Sequence, residues 1–146
     1  MSEPKPYRTR VDDVPLVENL SREDGWIDMQ VRFLIDQKSA GSDKLVFGWT
    51  LMPPGASHEK HRHFHCDEFL LVMSGSGIIF TDDGEEPAKK GDVVFTPRGH
   101  WHGYRNTSDE DSLLIWGWSG AGSLEGAGYE VPPDAAIRVL EKREAD

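Results

Sequence analysis

The sequence predicts an all-β fold, a barrel or a sandwich. Three observations point there. Apolar or alternating runs of about four to eight residues recur from residue 26 onward. Clusters of Pro, Gly, Asp, Asn and Ser separate them, and no strand–helix alternation appears that would build a parallel α/β sheet.

The elements follow in order. Residues 1–25 carry Pro4, Pro6 and Pro15 and the polar cluster at 18–24, which argues against a long helix and predicts an arm ahead of the main body. The runs then fall at 29–35, 45–52, 57–66, 69–73, 77–81, 92–96, 101–106 and 112–118. The first is closed by the polar stretch 37–42 and the second by Pro53-Pro54-Gly55. Later breaks carry Asp82-Asp83-Gly84, Pro97-Arg98-Gly99 and residues 106–109. A helix is expected only at the end, where Pro132-Pro133-Asp134 gives a start signal and 135–143 are good helix formers. The expected organisation is an arm (1–25), a β-barrel domain (26–131) and a short helical tail (132–146), without internal repeats.

Length and charge narrow the function. At 146 residues, 37% of them hydrophobic, the chain suits one compact domain. Sixteen Lys and Arg stand against 26 Asp and Glu, a net charge of -10, and no stretch clusters the cations that a phosphate backbone or an anionic membrane requires. Neither nucleic acid nor membrane is an expected partner. The single cysteine, Cys66, cannot form an intrachain disulfide. The first residues lack the apolar core of a signal peptide, and the longest apolar run, 69–73, is far short of the roughly 20 residues of a membrane span, so a cytoplasmic location is expected. That same run is apolar at every position. A strand sends alternate side chains to opposite faces, so both faces need cover. Another subunit or the N-terminal arm would provide it, and a homodimer is expected.

The chemistry sits in the histidines, all six of which fall between His58 and His102. On a strand, His61 and His63 project from one face with Cα atoms about 7 Å apart, which lets both rings reach one ion. Glu68 follows the polar pair Cys66-Asp67, and His102, just past Pro97-Arg98-Gly99, supplies a further imidazole. Taken singly, each histidine reads as readily as a surface residue or a core residue paired with a carboxylate. Together they would be costly to bury without a ligand or hydrogen-bond partners.

These residues carry a resemblance. Gly55, His61, His63, Glu68 and Gly75 follow the spacing of the first motif of the cupin superfamily, and Gly91, Pro97, Gly99, His102 and Asn106 that of the second. The sequence is thus similar to small single-domain cupins over 55–106, about a third of its length. The resemblance implies a jelly-roll β-barrel of two antiparallel sheets and a divalent metal held by His61, His63, Glu68 and His102. Imidazoles with one carboxylate suit Fe, Mn, Ni, Co or Zn rather than Ca or Mg, one ion per chain. Gly55, Gly75, Gly91 and Gly99 are expected at turns with positive φ.

Strand parity extends the list of candidates. His65 continues the alternation of His61 and His63, and Tyr104 that of His102, so both are expected to face the cavity and to serve in proton transfer. A competing ligand register through His63, His65 and Glu68 breaks the motif spacing. His100 shares the parity of His102, and Glu59 is expected at the rim. Phe47 and Trp49 share one strand face and Trp116 and Trp118 another, where they either line a pocket or fill the barrel or an interface. The glycine-rich stretch 119–129 reads as a flap or as an ordinary crossing. The expected function is a metal-dependent enzyme on a small oxygen-chelating organic substrate, foremost an Fe(II) dioxygenase. A non-redox isomerase, lyase or decarboxylase and a non-catalytic small-ligand binder are the alternatives.

Overall fold

The computed structural model of the protein describes residues 3–132. Its strands are β1 (Trp26–Ile27), β2 (Gln30–Ile35), β3 (Leu45–Met52), β4 (Ser57–His61), β5 (Asp67–Ser74), β6 (Ser76–Thr81), β7 (Gly84–Lys89), β8 (Val93–Thr96), β9 (His102–Arg105) and β10 (Ser112–Ser119). Single-turn helices α1 (Gln37–Ala40) and α2 (Leu124–Ala127) and two 3-10 turns, Val11–Asp13 and Arg22–Asp24, join them. The strands form two five-stranded antiparallel sheets, ordered β1-β4-β9-β6-β7 and β2-β3-β10-β5-β8. This is the jelly-roll barrel that the resemblance implied. No helix among the described residues is long and apolar enough to cross a membrane. The expected C-terminal helix lies outside the described residues.

Alternation along the strands builds the interior. On β3, Val46, Gly48, Thr50 and Met52 are buried while Leu45, Phe47, Trp49 and Leu51 lie on the outer face. On β10, Leu114, Trp116 and Trp118 point inward. Trp116 stands opposite Gly48, and a Cβ there would lie 2.1 Å from the indole, so glycine makes room for the ring. Two clusters fill the barrel. One gathers Trp26, Val31, Val46, Cys66, Trp116 and Trp118. The other gathers Met52, Ala56, Val72, Ala88, Tyr104 and Leu114. Each large side chain buried this way contributes about 1.5–3 kcal/mol.

The turns follow local chemistry. Asp36 caps α1 with a reciprocal box: its carboxylate accepts from the Ser39 N–H, and Ser39 Oγ accepts from the Asp36 N–H. Gly55, Gly75, Gly91 and Gly99 all have φ between 84° and 95°, as expected of turn glycines. Three features differ from expectation. The run 57–66 is a strand only as far as His61, because the chain bends at residues 64–65. The stretch 37–42 contains a helical turn. Strand β7 has no counterpart among the sequence runs, since Glu85, Glu86 and Pro87 mask it; it is a sheet edge with only Ala88 buried, where charge and proline are tolerated.

Candidate metal centre

β4 and β9 pair in one sheet with His61 opposite His102, and His63 follows immediately in the connection to β5. From the other sheet, β5 brings Glu68 beside Trp118 of β10. All three imidazoles are buried.

Each ring is held through its Nδ1 by a backbone carbonyl: Glu59 O at 2.8 Å from His61, Gly128 O at 2.7 Å from His63 and His100 O at 3.2 Å from His102. A carbonyl can only accept, so each Nδ1 carries a proton, and in the neutral ring each Nε2 is left with a lone pair. The Nε2 atoms of His61 and His63 are buried and without a hydrogen-bond partner, that of His102 faces only the Glu68 carboxylate, and the ligand nitrogens of the three rings lie within 4.8 Å of one another. Two orphaned acceptors beside a buried imidazole–carboxylate pair are costly unless something binds them. The triad could hold a divalent metal ion, and the carbonyls behind it set ring orientation as such a site requires.

Glu68 completes the cluster. Its Oε2 lies 3.1 Å from His102 Nε2 and its Oε1 3.8 Å from His63 Nε2, while the Trp118 indole N–H donates to Oε1 at 2.9 Å. Burial alone would raise its pKa, but the charge and hydrogen bond of His102, with His63 and the indole, outweigh it and hold the carboxyl down at about 2. Burial pushes His61 and His63 below the ordinary histidine value and keeps them neutral, helped for His61 by the neighbouring imidazoles. For His102 burial also acts downward, yet Glu68 prevails and the pKa rises.

His61, His102 and Glu68 border a barrel cavity of about 50 Å³, lined by Trp26, Leu70, Ile79, Trp116 and Trp118 among others. That is room for a few waters or a small organic molecule. Its described lining includes no lysine or arginine. A cleft past Pro97, His100 and Trp101 shares Phe80, Val94 and Thr96 with this cavity and opens outward.

The remaining candidates fall differently. His65 does not point inward: it lies exposed at the bend after His63, where strand parity no longer applies, and its N–H bonds Ala127 O. The Tyr104 ring lines the cavity, but its hydroxyl is engaged with Ser112 Oγ at 2.9 Å and belongs to the other core cluster, so it is not free for proton transfer at the triad. His100 is exposed and pairs with Asp82 at 2.6 Å. Glu59 is not at the rim: it is fully buried beneath Gly25, bonded to Ser57 and Arg105. Of the aromatics, Trp116 and Trp118 line the cavity and Phe47 and Trp49 lie on the outer face.

One cavity residue escaped the sequence. His58 stands three positions from His61, so simple alternation sends the two to opposite faces. A register irregularity between them restores the parity, and the rings stack at 3.7 Å. His58 Nε2 lies 3.1 Å from the Tyr129 hydroxyl, which in turn donates to Asp24 O. With that hydroxyl proton committed, His58 Nε2 is the donor and its Nδ1 is the acceptor. The glycine-rich stretch is a crossing pinned over the site rather than a loose flap. Ala127 O accepts from the Phe64 and His65 N–H groups, Arg62 and Glu130 pair by backbone and side chain, and Tyr129 stacks on His61 at 5.1 Å.

Comparison with known proteins agrees with this architecture. The family model for the cupin domain matches residues 48–118. An oxalate-binding protein of Thermotoga maritima is 31% identical over 84 residues, covering 58% of this chain and 69% of that one. The chain belongs to the cupin family. A gentisate 1,2-dioxygenase of Ralstonia sp is also 31% identical, over 81 residues, which is 55% of this cupin and 22% of the dioxygenase. The cupin thus spans from about a fifth to about two thirds of these curated relatives. Among solved structures, the polyketide cyclase RemF of Streptomyces resistomycificus superposes with a TM-score of 0.72 at 22% identity, covering 93% of this chain and 94% of that one, which shows a shared fold.

Proposed function

We propose that this cupin is a metal-dependent enzyme acting on a small organic substrate with adjacent oxygen donors, and that oxygen-dependent cleavage by an Fe(II) site is its reaction. The observation that carries this reading is the convergence of three Nε2 atoms, two of them partnerless, beside a largely apolar cavity. His61, His63, His102 and Glu68 are the proposed ligands. When bound, the ion supplies Lewis acidity and, as Fe(II), one-electron chemistry with dioxygen.

The chain's own groups favour a substrate of particular charge and shape. Three neutral imidazoles and one carboxylate leave a divalent site with one net positive charge, and no lysine or arginine lines the described cavity wall. A singly charged chelator fits that balance, whereas a phosphorylated one leaves buried charge uncompensated. Trp118 holds Glu68 in place, and the Glu59, Gly128 and His100 carbonyls hold the rings. Trp116 and Trp118 offer flat apolar walls. His58, held by Tyr129, offers Nδ1 as acceptor for a substrate hydroxyl. The sequence relative named as a dioxygenase supports oxygen chemistry in this family.

The small cavity favours one second reading, non-redox chemistry on a short carboxylate, and the relative named for oxalate binding supports it. Elemental analysis of untagged protein, paired with oxygen-electrode assays over catechols, hydroxybenzoates and short α-hydroxy and α-keto acids, tests the proposal. Iron with oxygen uptake matched to substrate loss supports it. Turnover under argon with manganese or zinc moves the assignment to an isomerase, lyase or decarboxylase. Saturable binding without product makes the protein a binder.

A further inference from the structure

The cavity beside His61, His102 and Glu68 is smaller than an aromatic ring. A benzene molecule fills about 150 Å³, whereas this cavity offers about 50 Å³. That accommodates two chelating oxygens and the carbons that carry them, so the rest of an aromatic substrate has to lie elsewhere. The outward cleft supplies the place. Its volume is about 170 Å³, and Phe80, Val94 and Thr96 line both it and the cavity, so one layer of side chains separates the two. Phe80 leans on Gly103, where a Cβ would stand 2.8 Å from the ring, and Thr96 sits opposite Glu68 in the β5–β8 ladder.

The cleft combines aromatic walls with one fixed polar pair. Trp101 lines it, with the Arg62 guanidinium 4.5 Å from the indole ring. Asp82, in the turn after β6, accepts from the Trp101 N–H at 2.8 Å through one carboxylate oxygen and from His100 Nδ1 at 2.6 Å through the other. His100 Nδ1 is thereby committed, and Nε2 is the ring's remaining hydrogen-bonding atom in either protonation state, accepting from a hydroxyl or donating to an oxygen. The loop that carries His100 is tied to the triad. Gly99 N–H donates to His63 O at 2.7 Å, and His100 O accepts from His102 Nδ1 at 3.2 Å. These bonds set the cleft in register with the triad before any ligand arrives.

We propose that the cleft is a second subsite for the same substrate: the chelating oxygens enter the cavity, a hydroxylated aromatic ring rests in the cleft against Trp101, and the ring hydroxyl meets His100 Nε2. This rests on the metal-chelate reading above and names its substrate class, an α-hydroxy or α-keto acid joined by a short carbon link to an aryl group. The carboxylate and its neighbouring oxygen form a compact chelate with one negative charge, which suits both the small cavity and the net charge of the ligand set. A catechol or hydroxybenzoate carries its chelating oxygens on or beside the ring and would have to seat that ring in the 50 Å³ cavity. Trp101 and His100 are specificity-determining residues rather than catalytic ones.

Calorimetric titration of the full chain loaded with Mn(II), under argon, tests this with lactate, phenyllactate, para-hydroxyphenyllactate and catechol. Burial of the ring is expected to make phenyllactate bind about tenfold or more tighter than lactate, and the para-hydroxyl to add about fivefold. Trp101→Ala is expected to cut the phenyl advantage to about twofold, and His100→Leu to remove only the hydroxyl increment. Metal content and melting curves confirm that each variant is folded. Equal affinity for lactate and phenyllactate, a phenyl advantage that survives Trp101→Ala, or catechol binding tighter than phenyllactate each overturns the subsite and leaves the metal-chelate reading standing. A hydroxyl increment untouched by His100→Leu overturns the role of His100. Protein that takes up no Mn(II), or acids that bind equally well after chelator treatment, overturns the metal-chelate reading and the subsite with it.

Discussion

The two ends of the barrel interior are built from the same strands and differ in one respect. At the end around Tyr104 and Asn106, polar groups close on each other. Asn106 Nδ2 donates to Met52 O and Glu110 O at 2.8 and 2.6 Å, its Oδ1 accepts from the Ser108 N–H and hydroxyl, and Tyr104 meets Ser112. At the end around His61, two nitrogens have no partner and a third, His102 Nε2, faces only the Glu68 carboxylate. β9 supplies His102, and Asn106 follows its last residue, so one short segment serves both ends. Full satisfaction marks a structural end and incomplete satisfaction a binding end.

Breaking the satisfied end has the largest expected effect. Asn106→Ala strands the buried Met52 carbonyl and frees the 106–110 turn. The expected loss is about 3 kcal/mol in urea unfolding, with metal stoichiometry of the folded fraction unchanged. His61→Ala at the other end behaves in the opposite sense. It removes a partnerless Nε2 but also a buried ring and its bond to Glu59 O, so the metal-stripped protein is expected to lose about 1–2 kcal/mol, less than the Asn106 variant. What disappears is the rise in melting temperature on adding metal, worth about 2.7 kcal/mol at a hundredfold excess over Kd. Equal responses of the two variants to metal would erase the distinction between the ends.

Sequence patterning reveals the strands and the ligand set more readily than it reveals the cavity wall. Turn residues delimit β3, β5, β6 and β10 closely because polar breaks and alternating burial coincide there. The spacing of the two motifs brings out His61, His63, Glu68 and His102, which the structure assembles. What stays hidden depends on backbone irregularity or remote cover. Parity fails at His58 because the β4–β9 register shifts, and at His65 because the chain bends. Glu59 reads as a rim residue until the segment ending in Gly25 is placed over it. The link from Tyr129 to Asp24 joins residues 105 positions apart, beyond any local signal.

A third prediction sharpens the comparison through pH. Glu68 is depressed from 4.5 to about 2, so in metal-stripped protein its contribution is present above pH 4.5 and is lost as pH falls toward 2. His102 is raised above 6.5, so its contribution is complete below 6.5 and is lost as pH rises through its folded value. Those two contributions are fullest between pH 4.5 and 6.5. His58, His61 and His63, held below 6.5 by burial, add stability as pH rises toward 6.5, so the stripped protein is expected to have its stability window around pH 6.5. Metal, which needs neutral His102, stabilises increasingly above that window. Urea midpoints with and without chelator follow both trends, and Glu68→Gln is expected to flatten them.

The smallest expected effect separates the two ends most sharply, because Tyr104 touches both. Its ring lines the cavity, yet burial raises the phenol's pKa against the opposing Ser112 bond, which disfavours a catalytic phenolate. Tyr104→Phe keeps the ring and removes only the hydroxyl. Ser112 Oγ retains Ser76 O as a partner at 3.3 Å, so the loss should be about 1 kcal/mol of stability, with metal content and turnover within twofold of the parent. A turnover loss of a hundredfold or more at unchanged metal content would place the hydroxyl in the reaction. It would also mean that hydrogen-bond closure does not divide the structural end of this barrel from its reactive one.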